Sequence, residues 1–295
     1  MTSGQRPARL DVGVVGTGRV GAVLGAALAR AGHRVVAGYG VSVTSRQRAH
    51  TLLGDVPLVE TRDVFERADL VLLTVPDDVL PGLVEGAGAT GTIRTGQLVA
   101  HTSGRYGVGV LDPATRAGAL PLALHPAMTF TGTAVDLERL SGAVFGVTAP
   151  EQLWPVAEAL VVEMGSEPVR IAEEHRTLYH AALAHASNHL VTLVNDAMDL
   201  LRDARVDAPD RVVGPLLSAA LDNVLRSGDA ALTGPVARGD AGTVASHVEE
   251  IGRVAPEVVA AYVALARRTA ARALASGRLK ATDAEPLLDA LSPPR

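Results

Sequence analysis

Gly16, Gly18 and Gly21 stand in a G-x-G-x-x-G spacing inside the stretch VGVVGTGRVGAVLG. An apolar run leads into them and a helical pattern follows. Few folds can use that combination. The first glycine permits a tight turn at a strand end, the second lets backbone come close to another group, and the third lets the helix lie against the strand. The helix then opens with unpaired N–H groups and the positive end of its dipole, which suits a phosphate. Strand–helix–strand units around a parallel sheet are the expected outcome, with a dinucleotide on the glycine turn. The alternative is the same architecture with no nucleotide bound.

The rest of the N-terminal part keeps the alternation. Apolar runs at Leu10–Val15, Arg34–Ala37, Leu70–Val75, Gln97–Thr102, Leu120–Leu124, Ala143–Val147 and Pro168–Ile171 read as strands. Val20–Ala31 and Gln152–Met164 read as helices, and Asp77 or Asp78 as the cap of another. The character changes near Ala172. Glu173–Val206 forms one helical pattern without Gly or Pro, and more helix follows at Asp210–Ser227, Asp240–Val254 and Glu257–Ser276, with Asp240 as an N-cap. The expected fold class is α/β: a doubly wound Rossmann domain over residues 1–172, then an all-helical domain over 173–295 for dimerisation and substrate.

Composition narrows the chemistry. The chain has 295 residues, 47% of them apolar, only 3% aromatic, and a net charge of −5. Nothing there suggests a nucleic-acid surface. No cysteine is present, so disulfides, thiolate nucleophiles and thiolate metal sites are excluded together. That composition, with no apolar segment before Leu10, leads to the expectation of a cytoplasmic protein without a signal peptide, and the glycines and Arg19 and Arg30 argue against a membrane span. The tail SPPR reads as frayed.

The second strand ends without an acid. NAD sites of this type place Asp or Glu about 20 residues beyond the first glycine, on the ribose 2′-OH. No carboxylate occurs here between Asp11 and Asp55; YGVSVTSRQR supplies Ser42, Thr44, Ser45, Arg46 and Arg48 instead. Hydroxyls and guanidinium groups favour a 2′-phosphate, which a carboxylate would repel. The expected cofactor is NADP(H), with Arg46 the first candidate. The competing reading makes Arg46 and Arg48 solvated residues of a surface helix. The full cofactor set is Gly16, Thr17, Gly18, Arg19, Val20, Gly21, Ser42, Arg46, Val75 and Pro76.

Three loops at strand ends could reach a reacting carbon: TVPDD, HTSG and LHPAMTF. They bring Ser103, His101 and His125. Each histidine is either a proton donor or a tie for strand-end carbonyls. On the long helix, His180 and Ser187 are seven positions apart and so within about 20° of one another, with Asn188 beside them. Ser187 and Asn188 read either as a polar stripe facing substrate or as helix–helix hydrogen bonds. His185 and His189 form an i,i+4 pair, but no HExxH accompanies them, so no metal is expected.

Taken together, the glycine motif, TVPDD, HTSG, LALHPAMTFTG, YHAALAHASNH and LTGPVARGD resemble a family of Rossmann-like NADP oxidoreductases whose helical C-terminal domain has no assigned function. More distantly the chain is similar to pyrroline-5-carboxylate reductases, deazaflavin-dependent NADP oxidoreductases, ketopantoate reductases and 6-phosphogluconate-type dehydrogenases. The resemblance implies a helical domain that dimerises and closes the site. It does not carry over the lysine that β-hydroxyacid dehydrogenases and ketopantoate reductases use as proton donor, because Ala184 precedes Asn188 by four positions and the single lysine is Lys280.

The functional expectation is an NADPH-dependent reductase of a small keto or imino carboxylate. The catalytic candidates are Ser103, His125, Ser187 and Asn188, with a histidine or a bound water giving the proton. By resemblance, 2-dehydropantoate is the first substrate candidate and an imine of the pyrroline-5-carboxylate type the second. The rival of another class is a non-catalytic NADP(H)-binding sensor or assembly protein.

Overall fold

The structure, a computed structural model, describes residues 9–292. The segment before Arg9 and the tail after Ser292 lie outside the described residues, as do the leader and fraying expectations that fall there. Two compact units are present, Met1–Ala184 and His185–Arg295. The division falls inside a helix, later in the chain than the change of character at Ala172.

All seven anticipated strands form, as β1 (Asp11–Val15), β2 (Arg34–Tyr39), β3 (Leu70–Leu73), β4 (Leu98–His101), β5 (Leu120–Pro126), β6 (Val144–Thr148) and β7 (Glu167–Arg170), in one sheet ordered β2-β1-β3-β4-β5-β6-β7. β3 and β4 are buried along their whole length. That is why they read as unbroken apolar runs rather than as alternating ones. Helices α1 (Arg19–Arg30), α6 (Val135–Leu140) and α7 (Trp154–Glu163) supply Leu24, Leu28, Leu140 and Leu160 to one cluster around the sheet; α3 (Thr61–Arg67), α4 (Leu80–Ala89) and α5 (Asp112–Arg116) supply Phe65, Val84 and Ala114 to another. Helix α2 (Val43–Leu53) flanks α1.

The sheet is not wholly parallel. β6 runs antiparallel to β5, with His125 opposite Gly146, and β7 runs parallel to β6. The connection over residues 127–143 brings the chain into β6 from the same end of the sheet at which it leaves β5. The helix after TVPDD also differs from expectation. Its N-cap is Val79, without a side-chain cap, and Val79 and Leu80 donate their N–H groups to the Pro76 carbonyl. Neither Asp77 nor Asp78 caps it, because the turn places Pro76 at the position that receives those donors.

The second unit holds α8 (Arg176–Asp203) from His185 onward, α9 (Pro209–Ser227), α10 (Gly234–Arg238), α11 (Ala241–Val254), α12 (Pro256–Ala275) and α13 (Ala281–Ala290). Asp240 caps α11, accepting from the Thr243 N–H at 3.0 Å and the Thr243 hydroxyl at 2.8 Å. Its core is small-residue packing of Val236, Val244, Ala266, Ala270, Ala273 and Leu287. Helix α9 buries only Pro209 and Val213, and leaves Leu216, Leu221 and Leu225 exposed. Among the described residues, no helix is long and apolar enough to cross a membrane.

Candidate active site

The glycine turn joins β1 to α1. Gly16 has φ +102°, a left-handed value that disfavours a side chain. Its N–H and that of Thr17 both donate to the Tyr39 carbonyl, at 2.9 and 3.0 Å. The Thr74 hydroxyl donates to the Gly16 carbonyl at 2.5 Å, tying the turn to the end of β3. A Cβ on Gly21 would lie 2.2 Å from both the Gly16 carbonyl oxygen and Thr74 Oγ1, so only glycine lets α1 approach the turn this closely. Gly18 is different: a Cβ there would meet nothing within 4 Å. Gly18 also caps α1 without a side-chain acceptor, and no acid stands in the first turn. The free N–H groups of that turn and the open face of Gly18 form a cradle of the shape a phosphate needs.

The end of β2 completes it. Ser42 caps α2, accepting from the Ser45 N–H at 3.0 Å. Arg46 is exposed and folds back over the loop, donating from Nε to the Gly40 carbonyl and from Nη2 to that of Val41, each at 2.9 Å. Thr17 is fully buried and donates from its hydroxyl to the Ser45 carbonyl at 3.1 Å. Val75 and Pro76 follow Thr74 in the next loop, and Val20 packs against the core of the sheet.

The end of β4 and the start of α8 meet farther along the same sheet edge. His101 is completely buried; its Nε2 donates to the Gly107 carbonyl at 2.8 Å and its Nδ1 accepts from the Ser103 N–H at 3.2 Å. Both ring nitrogens are occupied by backbone, and burial pushes its pKa down to about 4. His101 is a tie between loop segments. Ser103 Oγ accepts from the N–H groups of Arg105 and Tyr106, each at 3.2 Å, and so holds the same loop. The Glu173 carboxylate accepts from the N–H groups of Val108 and Gly109 at 2.8 and 3.1 Å.

Arg176 is 1% exposed and makes no ion pair among the described residues. Its guanidinium donates to the carbonyls of Tyr106 (2.8 Å), Gly146 (3.0 Å) and Ser103 (2.6 Å), binding α8 to the β4 loop and to β6. Burial lowers its pKa. Tyr179, one turn on, sits where Gly146 has no side chain; a Cβ there would lie 2.5 Å from the ring. The Tyr179 hydroxyl and His125 Nδ1 are 2.9 Å apart. His180 packs edge-on against His125, ring centres 5.9 Å apart. Gly104 leaves room for both: a Cβ would be 2.9 Å from His125 Nε2 and 2.6 Å from His180 Cδ2. Burial first, then the charge of Arg176 and the neighbouring histidines, lowers the His125 pKa to about 4. Burial raises that of Tyr179.

The sequence reading had His125, Ser103 and His180 but passed over Arg176 and Tyr179. The signal was present. Arg176, Tyr179 and His180 are spaced i, i+3, i+4, which puts a cation, a phenol and an imidazole on one helix face. Ser187 and Asn188 lie in the second unit, Ser187 half-buried and Asn188 exposed. In that unit His185 and His189 face one another, with Nδ1 atoms 2.7 Å apart.

Comparisons with known proteins divide the chain earlier than its two compact units do. Residues 1–126 match the Rossmann-like domain, and residues 143–269 match a domain of unknown function, DUF2520. The chain thus pairs a segment that matches a Rossmann-like domain with one that matches DUF2520. No curated protein sequence matches it. Among solved structures, a Bacteroides fragilis protein provisionally named an NADP oxidoreductase is similar at TM-score 0.76 and 21% identity, covering 89% of this chain and 98% of the other. A Thermotoga maritima protein is similar at TM-score 0.66 and 21% identity over 90% and 99%. A Plasmodium falciparum pyrroline carboxylate reductase with NADP bound is similar at TM-score 0.56 and 12% identity over 90% and 98%. At these identities the likeness is one of fold.

Proposed function

We propose that this DUF2520 chain is an NADPH-dependent oxidoreductase that reduces the C=O or C=N bond of a small keto or imino carboxylate. The observation that carries the reading is the glycine turn with an open Gly18, set beside a second strand whose end offers Ser42, Ser45 and Arg46 and no carboxylate. The residues fit a phosphorylated dinucleotide: the cradle would be filled by a Cβ, and an acid that would repel the phosphate is absent. Gly18, Arg19, Val20 and Gly21 would hold the diphosphate on the turn that Gly16 and Thr17 shape, Ser42 and Arg46 would face the 2′-phosphate, and Val75 and Pro76 line the adjoining loop. Bound NADPH supplies a hydride.

His125 and Tyr179 handle the proton. With the Tyr179 hydroxyl donating to Nδ1, His125 carries its own proton on Nε2. His125 gives that proton to the substrate oxygen or nitrogen as the C=O or C=N bond is reduced. The Tyr179 hydroxyl proton then moves to Nδ1, and the phenolate left behind is stabilised by Arg176, whose guanidinium carbon lies 5.6 Å from the ring centre. Ser103 holds the adjoining loop. An imine of the pyrroline carboxylate type is the first substrate to test, since an NADP-bound enzyme of that activity shares the fold; 2-dehydropantoate is the second.

The working form is a cytoplasmic homodimer. The apolar face of α9 has little to pack on within its own unit, and a second copy is the simplest cover for it. A titration with NADPH and NADH, for the wild type and Arg46→Ala, tests the cofactor reading. Much tighter NADPH binding, with the preference reduced in the variant, is expected. Equal or absent binding overturns it and favours a chain that performs no turnover.

A further inference from the structure

The turn after β5 touches the dinucleotide cradle from its other side. Gly132 has φ +79°. A Cβ on it would lie 2.4 Å from Arg48 Nε and 3.0 Å from Arg19 Cγ, so the two arginines clasp this glycine. Arg48 Nε donates to the Gly132 carbonyl at 3.2 Å. Its two terminal nitrogens make no hydrogen bond or ion pair among the described residues. Arg48 is not on the face of Arg46. Two positions apart on a helix is about 200°, and Arg48 shares instead the side of Ser45, whose carbonyl receives Thr17.

Arg19 is the first residue of α1, and neither α1 nor α2 has an acid in its first turn. A cation at a helix N-terminus is unfavourable against the helix dipole. An anion held between Arg19 and Arg48 reverses that. The nearby acid is Asp136, fully buried, but it forms no ion pair with either arginine. Its two oxygens accept from the Gly132 N–H at 2.6 Å and the Thr131 hydroxyl at 3.0 Å. A buried carboxylate is costly to keep without a cation; here it fixes a glycine turn whose carbonyl fixes Arg48.

We propose that Asp136 is a positioning residue of the dinucleotide site. Through the Gly132 turn it orients Arg48, and Arg48 with Arg19 contributes to the preference for the phosphorylated dinucleotide. This rests on the NADPH reading above.

The test is calorimetric titration of the full chain with NADPH and with NADH, for the wild type, Arg48→Gln, Arg48→Lys, Asp136→Asn and Gly132→Ala. Melting of each variant checks that it is folded. Arg48→Gln is expected to weaken NADPH by roughly tenfold while NADH changes by less than about twofold. Asp136→Asn and Gly132→Ala are expected to shift the NADPH-to-NADH ratio in the same direction. Adding Asp136→Asn to Arg48→Gln should not shift it further, because the two act through one contact. Arg48→Lys, which keeps the charge but loses the Nε contact, should fall between wild type and Arg48→Gln. Equal weakening of both dinucleotides, or an unchanged ratio, overturns the inference and leaves the turn as structure only. If the wild type prefers NADPH and Arg46→Ala alone abolishes the preference, this inference fails and the cofactor reading stands. If the wild type has no preference, both fail.

Discussion

Gly18 and Gly21 lie three residues apart in one motif, yet the geometry assigns them opposite sensitivities. At Gly21 an added methyl would lie 2.2 Å from a carbonyl oxygen and from a hydroxyl oxygen, where ordinary contact begins at 3.4 Å. Helix α1 must move by more than 1 Å, and the 2.5 Å bond from Thr74 to the Gly16 carbonyl is disturbed. Overpacking of this kind costs about 1–3 kcal/mol, and the disturbed hydrogen bond about 1 kcal/mol more. The gain in helix propensity from Gly to Ala returns about 1 kcal/mol. Gly21→Ala should therefore lose about 2 kcal/mol, a fall in Tm of roughly 4–8 °C. Gly18→Ala meets nothing within 4 Å and has φ −72°, which alanine adopts freely. Its Tm should stay within about 2 °C of wild type, since the lost glycine cap and the lowered chain entropy nearly cancel. Binding should behave in reverse, with the Gly18→Ala methyl standing in the phosphate cradle and weakening NADPH by at least roughly tenfold. Scanning calorimetry and a fluorescence titration of the same preparations decide it. Wild-type NADPH affinity in folded Gly18→Ala would refute the placement of the cradle, and a low Tm there would refute the claim that the position is open.

The buried imidazoles make stability depend on pH. His101 and His125 titrate near 4 in the folded chain rather than near 6.5, so the unfolded chain binds protons first. Stability is fully present above about pH 6.5 and is lost as pH falls toward 4, by about 2 kcal/mol per imidazole between pH 7 and pH 5. Urea melts at the two pH values check this, and His125→Asn should remove about half of the difference. Arg176→Met leaves the carbonyls of Ser103, Tyr106 and Gly146 without their donor, so a loss of about 3 kcal/mol is expected in chemical unfolding. Tyr179→Phe keeps the ring against Gly146 but removes the relay; kcat for imine or keto-acid reduction should fall by about 100-fold with the KM for NADPH unchanged. An unaltered kcat would remove Tyr179 from the chemistry.

The sheet was legible because each strand is a short apolar run closed by a glycine, proline or polar turn. The glycine motif was legible for a stronger reason: its spacing follows from steric contacts among Gly16, Gly21 and Thr74 that no other residue type permits. The reversal at β6 was not legible. It depends on where the connection over residues 127–143 returns to the sheet, which VDLERL does not announce. Asp77 and Asp78 were misread as caps because composition suggests a cap, whereas the proline before them decides which carbonyl faces the helix.

The histidines illustrate a further limit. His101 and His125 both close strand-like runs, and nothing in the sequence separates them. What separates them is the partner of each nitrogen. His101 meets backbone on both sides, while His125 meets a phenol on one side and the gap left by Gly104 on the other. A buried imidazole whose two nitrogens are both held by backbone can exchange a proton only by breaking a loop. One paired with Tyr179, which is in turn stacked near a desolvated arginine, can pass a proton along and leave the negative charge where a cation waits for it. The proposed proton transfer therefore rests on the Arg176–Tyr179–His125 series rather than on any one histidine. That series exists because Gly104 and Gly146, two glycines outside the nucleotide motif, leave room for an imidazole pair and a phenol ring.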